Sequence, residues 1–279
     1  MSKTVAVLGS SGQVGAYMVE YLRRSGYEVD GYDIEPHPVN GTTNKICDLR
    51  HEDLDFSKYD FVYFMAFDVG GSRYLKKYQG TPDFIGNNMS LMANVFGALR
   101  QSNTPFIFTS SQMANMSYSP YGLLKHIGEL YTKALGGLVV KFWNVYGIEH
   151  DHEKSHVITD FILKGQAGII DMMTDGTEVR QFLYAEDCCE CLESLLRKYN
   201  DVSREQELHI TNFEWNSILD IAEYVTNHFP GCEVQPSLFK DTVQKDARNE
   251  PDPYIKTFWQ PKTTLQEGIS KIIHDMELH

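Results

Sequence analysis

Apolar residues follow two different periods along the first part of the chain. Continuous apolar runs, which are typical of strands buried on both faces of a parallel sheet, lie at Thr4–Leu8 and at 61–67. Between them, Val14, Met18 and Leu22 recur at a spacing that places side chains on one face of a helix. The pattern therefore predicts a strand followed by an amphipathic helix.

The same alternation continues to about residue 147. The predicted strands are 4–8, 28–33, 44–49, 61–67, 105–111 and 138–145, and the predicted helices are 13–24, 83–101 and 119–136. Strands that alternate with helices pack as a parallel sheet with helices on both faces. We therefore predict an α/β fold with a Rossmann-like, doubly wound parallel sheet.

Beyond residue 147 the alternation is looser, and loops, charges and aromatic residues dominate. The predicted helices there are near 156–165, 185–199, 215–229 and 264–276. The chain has no internal repeat and no low-complexity linker that would separate two independent units. We expect a Rossmann domain of residues 1–147, with a later contribution from about 184–212. Most of residues 148–279 should form a smaller C-terminal substrate-binding domain packed against it.

A glycine-rich segment, Gly9-Ser-Ser-Gly12-Gln-Val-Gly15, separates the first strand from the first helix. The first glycine permits a tight turn, the second lets a pyrophosphate approach the backbone, and the third lets helix and strand pack closely. The helix N-terminus adds free N–H groups and a positive dipole end. The cofactor contacts predicted here are Gly9, Ser11, Gly12, Gln13, Val14 and Gly15.

An acidic residue, Asp33, ends the second predicted strand. Its carboxylate can accept hydrogen bonds from both hydroxyls of an adenosine ribose, and it would repel the additional phosphate of NADP. Ile34 and Glu35 follow, so no adjacent Arg or Lys could receive that phosphate. The sequence therefore predicts NAD as the cofactor.

Three further residues complete the predicted cofactor site. Asp48 and Leu49 follow the third strand, where an acidic and an apolar residue would meet the adenine. Spacing alone equally allows Asp48 to be an ordinary strand-end residue. Ala66, near the end of the apolar run 61–67, is the remaining predicted contact.

Tyr121 and Lys125 share one face of a helix that Ser119 and Pro120 begin. An ammonium group beside a phenol favours phenolate and is expected to lower the pKa of Tyr121. Such a tyrosine can take a proton from a sugar hydroxyl while the adjacent C–H delivers hydride to nicotinamide. Ser111, at the end of the preceding strand, can hydrogen-bond the same oxygen. The predicted catalytic residues are Ser111, Tyr121 and Lys125.

The glycine segment, Asp33, the Ser–Tyr–Lys set and Asn144-Val-Tyr-Gly147 together resemble the extended short-chain dehydrogenase/reductase family. The nearest members are its NAD-dependent nucleotide-sugar epimerases and dehydratases, and the resemblance covers nearly the whole chain. It implies NAD as cofactor and a nucleotide-diphosphate sugar as substrate. Asn88 resembles the helix Asn that supports the catalytic Lys, although it could equally be a buried amide with satisfied hydrogen bonds.

The expected substrate contacts lie in four segments of the chain. The segments that begin at Arg180 and Arg248 resemble family segments, which implies that Asn144, Arg180 and Arg248 contact the sugar nucleotide. The two arginines suit a diphosphate and a ribose. The loop Asp68-Val-Gly-Gly-Ser72 resembles that of GDP-mannose 3,5-epimerases, and Ser72 is expected at the substrate.

The residues after Ser111 help to choose between family members. Dehydratases resemble one another in carrying Asp-Glu there, whereas this chain has Gln112 and Met113, which do not exchange protons at useful pH. A 4-epimerase needs only the three catalytic residues and NAD, so epimerisation at C4 through a 4-keto intermediate is the leading hypothesis. The alternatives are a dehydrogenase or ketoreductase, a 3,5-epimerase and a non-catalytic sensor. Intact Tyr121 and Lys125 argue against the sensor.

The chain departs from the family pattern at two places. Only nine residues separate Ser111 from Tyr121, where related enzymes have a longer excursion. Lys141 stands where the family usually has Arg. Both departures lie close to the predicted catalytic residues, so they bear on which sugar is accepted.

Composition limits the partners and the compartment. The formal net charge of -13 disfavours nucleic acid and anionic lipid as partners, and no stretch is long and apolar enough to span a membrane. Five cysteines without paired spacing and the absence of a signal-peptide pattern predict a cytoplasmic location. The clusters 188–191 and 150–156 are not expected to bind metal.

Family members often pair through two helices, which here would be 89–101 and 121–136. A homodimer is therefore expected. The apolar residues that could form its contact, or could simply belong to the core, are Met89, Met92, Phe96, Ile127, Leu130 and Tyr131.

Overall fold

The structure is a computed structural model that describes residues 2–39, 42–244 and 250–277. Its strands are β1 (Thr4–Leu8), β2 (Glu28–Asp33), β3 (Lys45–Ile46), β4 (Phe61–Phe64), β5 (Phe106–Ser111), β6 (Leu138–Phe142), β7 (Asn144–Tyr146), β8 (Ile169–Asp171), β9 (Val179–Arg180), β10 (Phe182–Tyr184), β11 (Leu208–Ile210), β12 (Asn216–Ser217) and β13 (Glu233–Gln235). Its helices are α1 (Gln13–Arg24), α2 (Ser72–Tyr78), α3 (Pro82–Ser102), α4 (Pro120–Ala134), α5 (Val157–Gln166), α6 (Ala185–Arg197), α7 (Ile218–Thr226) and α8 (Leu265–Glu277). Short 3₁₀ turns cover Gln112–Asn115 and Pro253–Thr257.

Seven strands form the central sheet in the order β11-β6-β5-β4-β1-β2-β3. Every neighbouring pair is parallel, which confirms the predicted α/β class and doubly wound sheet. The strand order reverses beside β1, where β2 lies on one side and β4 on the other. Ligands of such sheets bind at this reversal, outside the carboxyl ends of the strands.

Helices cover both faces of the sheet and bury it. One face packs against α1 and α6, and this core includes Cys188, Cys189 and Cys191. Burial raises the pKa of all three thiols, so they remain protonated and pack as small apolar groups. The other face packs against α3 and α4 through the aromatic cluster of Phe64, Phe96 and Phe108 and their neighbours.

A third core lies in the C-terminal part of the chain. It is built from α5, α7 and α8 with apolar residues such as Phe161, Ile221 and Ile269. Three two-stranded pairings accompany it, namely β7 with β10, β8 with β13 and β9 with β12. By contrast, two elements from within 184–212 belong with the main sheet. The helix α6 packs on α1, and the strand β11 pairs with β6.

The structure differs from the predicted elements at two places. The predicted strand 138–145 is divided into β6 and β7. Trp143 still donates its N–H to Ile210 of β11 in the central sheet, whereas Asn144 donates its N–H to Gln181, which precedes β10. The helix α2 was not predicted, since its seven residues are mostly polar and follow directly on Gly70 and Gly71.

Within the described ranges, no helix has both the length and the apolar character needed to cross a membrane.

Candidate active site

A cleft of about 1020 Å³ opens at the carboxyl ends of β1, β4 and β5. Both the sheet and the segment 142–156 contribute to its walls. The cleft brings together most of the predicted site residues: Gly9, Ser11, Gly12, Gln13, Val14, Gly15, Asp33, Asp48, Leu49, Ala66, Ser72, Ser111, Tyr121, Lys125 and Asn144. Of the others, Arg180 does not line the cleft, and Arg248 lies outside the described residues.

The glycine turn, residues 9–15, leaves no room for side chains at two of its glycines. Gly9 has a φ of +86°, and a Cβ there would lie 2.6 Å from the backbone nitrogen of Ala66. A Cβ at Gly15 would lie 1.9 Å from the carbonyl oxygen of Gly9. At Gly12 the nearest atom to such a Cβ, the Gly9 carbonyl oxygen, is 3.4 Å away, which is an ordinary contact distance, and this glycine lines the cleft. The turn is therefore packed tightly from behind and accessible from the cleft.

Asp33 is fixed beside this turn at the end of β2. Its Oδ2 accepts a hydrogen bond from the backbone N–H of Ser11 at 2.8 Å, and its Oδ1 accepts one from Glu35 N–H at 3.2 Å. The Ser11 hydroxyl in turn donates to the Glu35 carbonyl at 2.8 Å. The carboxylate is therefore held in place at the edge of the cleft, where an adenosine ribose would meet it.

Asp48 and Arg50 form a two-point ion pair at the same end of the cleft. Arg50 Nε donates to Asp48 Oδ1 at 2.8 Å, and Nη2 donates to Oδ2 at 2.7 Å. This pair lowers the pKa of Asp48 to about 2. Asn87 accepts from Arg50 Nη1 at 2.6 Å, while Leu49 is buried beneath. Sequence reasoning missed Arg50 and Asn87, because their spacing along the chain carries no signal.

The predicted catalytic residues lie on one wall of the cleft. Ser111 ends β5, and α4 begins at Pro120 with the Ser119 hydroxyl accepting a hydrogen bond from the N–H of Gly122. The Ser111 hydroxyl accepts from the Met113 N–H at 3.2 Å, and its nearness favours the ionised form of the Tyr121 phenol and so acts to lower its pKa. The close packing of Gly122, whose Cβ would lie 2.2 Å from the Met113 carbonyl oxygen, brings the start of α4 against the turn after β5.

The expected lowering of the pKa of Tyr121 is not found. Burial raises that pKa to about 12, although the nearby Ser111 hydroxyl opposes the rise. The Lys125 ammonium donates to the Thr109 carbonyl at 2.7 Å and lies 3.8 Å from the centre of the Phe67 ring, but 6.0 Å from that of Tyr121. Burial also lowers the pKa of Lys125 to about 7.

Asn88 supports a loop of the cleft and not the catalytic lysine. Its Oδ1 accepts from the Asp68 N–H at 2.8 Å, and its Nδ2 donates to the Asp68 and Phe84 carbonyls. It is the satisfied buried amide that the sequence allowed as the second interpretation. The loop it holds leads to Gly71, where a Cβ would lie 2.3 Å from the Ser155 carbonyl oxygen.

An acid–histidine pair that the sequence did not predict also lines the cleft. Glu149 Oε1 lies 2.6 Å from His156 Nδ1, and Oε2 accepts from the His156 N–H at 2.8 Å. Burial lowers the pKa of His156, but the Glu149 carboxylate outweighs it and raises the pKa above its usual value. The only signal in the sequence was the histidine-rich run 150–156. Across the described part of the chain, no group of three or more acidic, His or Cys side chains is arranged to hold a metal.

Arg180 does not line the cleft and is held by other partners. Its guanidinium is buried, and its Nη2 donates to Asp241 Oδ2 at 2.7 Å and to the Gln244 carbonyl at 3.3 Å. The expected contact with a diphosphate therefore has a competitor in Asp241. The same segment brings Val243 and Gln244 into the cleft wall, two residues that sequence reasoning did not single out.

The fold, the glycine turn and the catalytic wall agree with a comparison against known families. Residues 5–210 match the model of the NAD dependent epimerase/dehydratase family. The chain belongs to this family. Its cofactor is NAD, and the site fits that cofactor because the backbone of the glycine turn lines the cleft and the fixed Asp33 carboxylate is followed by Ile34, Glu35 and Pro36, none of which is basic.

Individual relatives of this family member are distant. A GDP-L-fucose synthase of Sinorhizobium fredii is 25% identical over 309 residues, covering 96% of this chain and 94% of the relative. A putative UDP-glucose 4-epimerase of Methanocaldococcus jannaschii is 24% identical, covering 98% of each. The solved UDP-glucose 4-epimerase of Thermotoga maritima superposes with a TM-score of 0.82 at 17% identity, covering 99% of each chain. This structural likeness establishes the fold.

Proposed function

We propose that the protein is an NAD-dependent nucleotide-sugar epimerase that inverts C4 through a transient 4-keto intermediate. The observation that supports it is that Ser111, Tyr121 and Lys125 meet on the wall of a cleft that also contains the glycine turn. Gln112 and Met113, the next residues, are buried and offer no acid or base for the elimination of water. The UDP-glucose 4-epimerases among its relatives agree with this choice.

In this mechanism side chains of the protein transfer the proton of the C4 hydroxyl and hydrogen-bond its oxygen. The glycine turn and Asp33 would hold NAD, which would supply the acceptor and donor of the hydride of C4. Tyr121 takes the proton of the C4 hydroxyl and later gives it back, while Ser111 donates a hydrogen bond to the same oxygen. Since burial raises the pKa of Tyr121 to about 12, the phenol needs a closer cation to act as a base. Lys125, one helical turn away, supplies it by moving its ammonium towards the phenol.

The first test is to denature the purified protein and identify the nucleotide it releases. We expect stoichiometric NAD, because a cofactor that is regenerated in each turnover need not leave. Incubation with nucleotide sugars in D₂O should then give the C4 epimer without deuterium on carbon, since the hydride never exchanges with solvent. Accumulation of NADH at 340 nm with a released keto sugar would contradict epimerisation and indicate a dehydrogenase.

One observation favours a second candidate, a 3,5-epimerase. The His156–Glu149 pair lines the same cleft as Tyr121, and its raised pKa favours an imidazolium near neutral pH. Such a group can exchange a proton at a carbon next to a keto group. The same D₂O experiment distinguishes the two candidates, because this one predicts deuterium at C3 or C5, and His156→Asn should remove that deuterium.

We further infer that the protein forms a homodimer through α3 and α4. Met89, Ile127, Leu130 and Tyr131 are exposed on these helices. Met92 and Phe96, for which the sequence left open the contact or the core, are both buried in the core of one chain.

Gel filtration tests this dimer. Leu130→Glu places a charge at the centre of the exposed set and should change the elution from a dimer to a monomer. Leu238→Glu is the matched control, because Leu238 is almost fully exposed elsewhere on the surface. A wild-type protein that elutes as a monomer would contradict the inference.

A further inference from the structure

A cluster of buried polar side chains lies behind the catalytic helix. Glu129 is one turn beyond Lys125 on α4, and its Oε1 accepts a hydrogen bond from the Ser110 hydroxyl at 2.6 Å. Lys141 Nζ lies 3.5 Å from the same oxygen and 2.8 Å from Glu207 Oε1. Glu129 and Lys141 are only 3% and 2% exposed. Charges buried to this degree are costly unless each has a partner.

The hydrogen bonds show that His209 adds no positive charge to this cluster. Trp143 Nε1 donates to His209 Nδ1 at 3.1 Å, so Nδ1 carries no proton. His209 Nε2 therefore donates to Glu207 at 2.7 Å as a neutral imidazole. Glu129 and Glu207 thus share Lys141 between them. Two carboxylates against one ammonium leave a net negative charge beside α4.

Lys125 is placed to balance that charge. The side chains and backbone that face its ammonium from other elements are the Phe67 and Phe108 rings and the Thr109 carbonyl, none of which titrates. Asp68 lies on the same loop as Phe67, but its Oδ1 already accepts from Tyr74 and Lys154.

On α4 itself, three titratable groups surround Lys125. Tyr121 is uncharged because burial keeps its pKa high, and His126 is half exposed with its Nδ1 3.8 Å from Glu129 Oε2. Burial lowers the pKa of Lys125, and Glu129 is the neighbouring charge that raises it. Glu129 lies four residues after Lys125, on the same face of α4 and buried like it, so its carboxylate is the negative charge of this helix that lies nearest in position to the ammonium.

We propose that Glu129 is a positioning residue, the buried counter-charge that holds Lys125 as an ammonium beside Tyr121. Ser110 precedes Ser111 directly, so its hydrogen bond ties the carboxylate to the end of β5 that carries the catalytic hydroxyl. Lys141, from β6, pairs with the same carboxylate oxygen. The part that Lys125 plays in turnover rests on the proposed function, whereas the charge relation between Glu129 and Lys125 does not.

The test is to measure the titration of Lys125 directly in the NAD-loaded protein. The probe is the ¹³Cε resonance of labelled lysine, assigned by its loss in Lys125→Arg. Glu129→Gln keeps the volume and the oxygen that accepts from Ser110 but removes the charge. Because the ammonium form is lost as pH rises through the pKa, we expect the midpoint about one to two pH units lower in Glu129→Gln. An unchanged midpoint overturns the proposal.

Two further variants complete the design. Glu193→Gln is the matched control, because Glu193 is a buried carboxylate on α6 that accepts from Tyr27 and pairs with Arg197, and it should leave the midpoint unchanged. Glu207→Gln alters a half-exposed carboxylate and frees Lys141 to neutralise Glu129, so a smaller downward shift is expected. If Glu129→Gln does not fold, an unchanged midpoint in Glu207→Gln overturns the proposal.

Turnover measured on the same variants separates this proposal from the proposed function. If both hold, the alkaline loss of kcat moves to lower pH in Glu129→Gln together with the midpoint. A midpoint that moves while the pH profile of turnover stays in place supports the counter-charge and contradicts the catalytic use of Lys125.

Discussion

Replacing Tyr121 with Phe should lower kcat by about 10²–10⁴-fold, the usual contribution of a positioned general base. The change removes the phenol oxygen and leaves the ring in place. The centre of that ring lies 5.9 Å from the centre of the Phe67 ring. The glycine turn and Asp33 are untouched, so the NAD content should stay stoichiometric. The measurements are turnover of a nucleotide sugar and nucleotide analysis of the denatured variant.

Tyr118→Phe is the control for this prediction. Tyr118 lies three residues earlier, in the loop before α4, is more than one third exposed and does not line the cleft. It should keep wild-type turnover. If Tyr121→Phe retains more than about a tenth of wild-type kcat, the proton passes through another group and the assignment is wrong.

Replacing Gly15 with Ala should remove bound NAD and lower the stability of the fold. The new methyl group would lie 1.9 Å from the Gly9 carbonyl oxygen and 2.8 Å from the Gly9 carbonyl carbon. Gly9 cannot retreat, because its own Cα approaches the Ala66 backbone closely. Since α1 must shift away from the turn, we expect a loss of about 1–3 kcal/mol in the free energy of unfolding, as for other overpacked sites. Thermal unfolding and nucleotide release measure the two effects.

Gly97→Ala is the matched control, since it is the same substitution in another helix. No atom lies within 4 Å of a Cβ at Gly97, which is in the interior of α3. Alanine favours a helix interior over glycine by roughly 0.5–1 kcal/mol, so this variant should unfold at an equal or higher temperature. A Gly15→Ala protein that still carries one NAD per chain would refute the packing role of the third glycine.

The parts of the site that the sequence predicted are those set by neighbouring residues. The glycine turn lies between an apolar run and a periodic helix, and Asp33 ends the next strand, so local pattern was sufficient. Tyr121 and Lys125 share a helix face by period alone. The parallel sheet followed in the same way, because alternating strands and helices leave few other arrangements.

The parts that were not predicted depend on contacts between distant segments. Arg180 meets Asp241, which lies 61 positions later in the chain, and that pairing occupies the guanidinium expected at the substrate. Asn88 and Asp68 meet through the loop after β4. The pKa of Tyr121 could not be foreseen either, since it depends on how deeply the ring is buried and on where the Lys125 ammonium points.

The break at Trp143 has a mechanical consequence. The N–H of Trp143 donates a hydrogen bond to β11 of the central sheet. The N–H of the next residue, Asn144, donates to Gln181, the residue that precedes β10 in the chain. Adjacent residues are thus anchored to opposite halves of the molecule, with no slack between them. A rotation of one half against the other would strain one of these two hydrogen bonds, so we expect this crossing to hold the two halves in a fixed orientation and not to act as a hinge. Opening of the cleft must therefore come from the loops at its rim, 68–72 and 149–156.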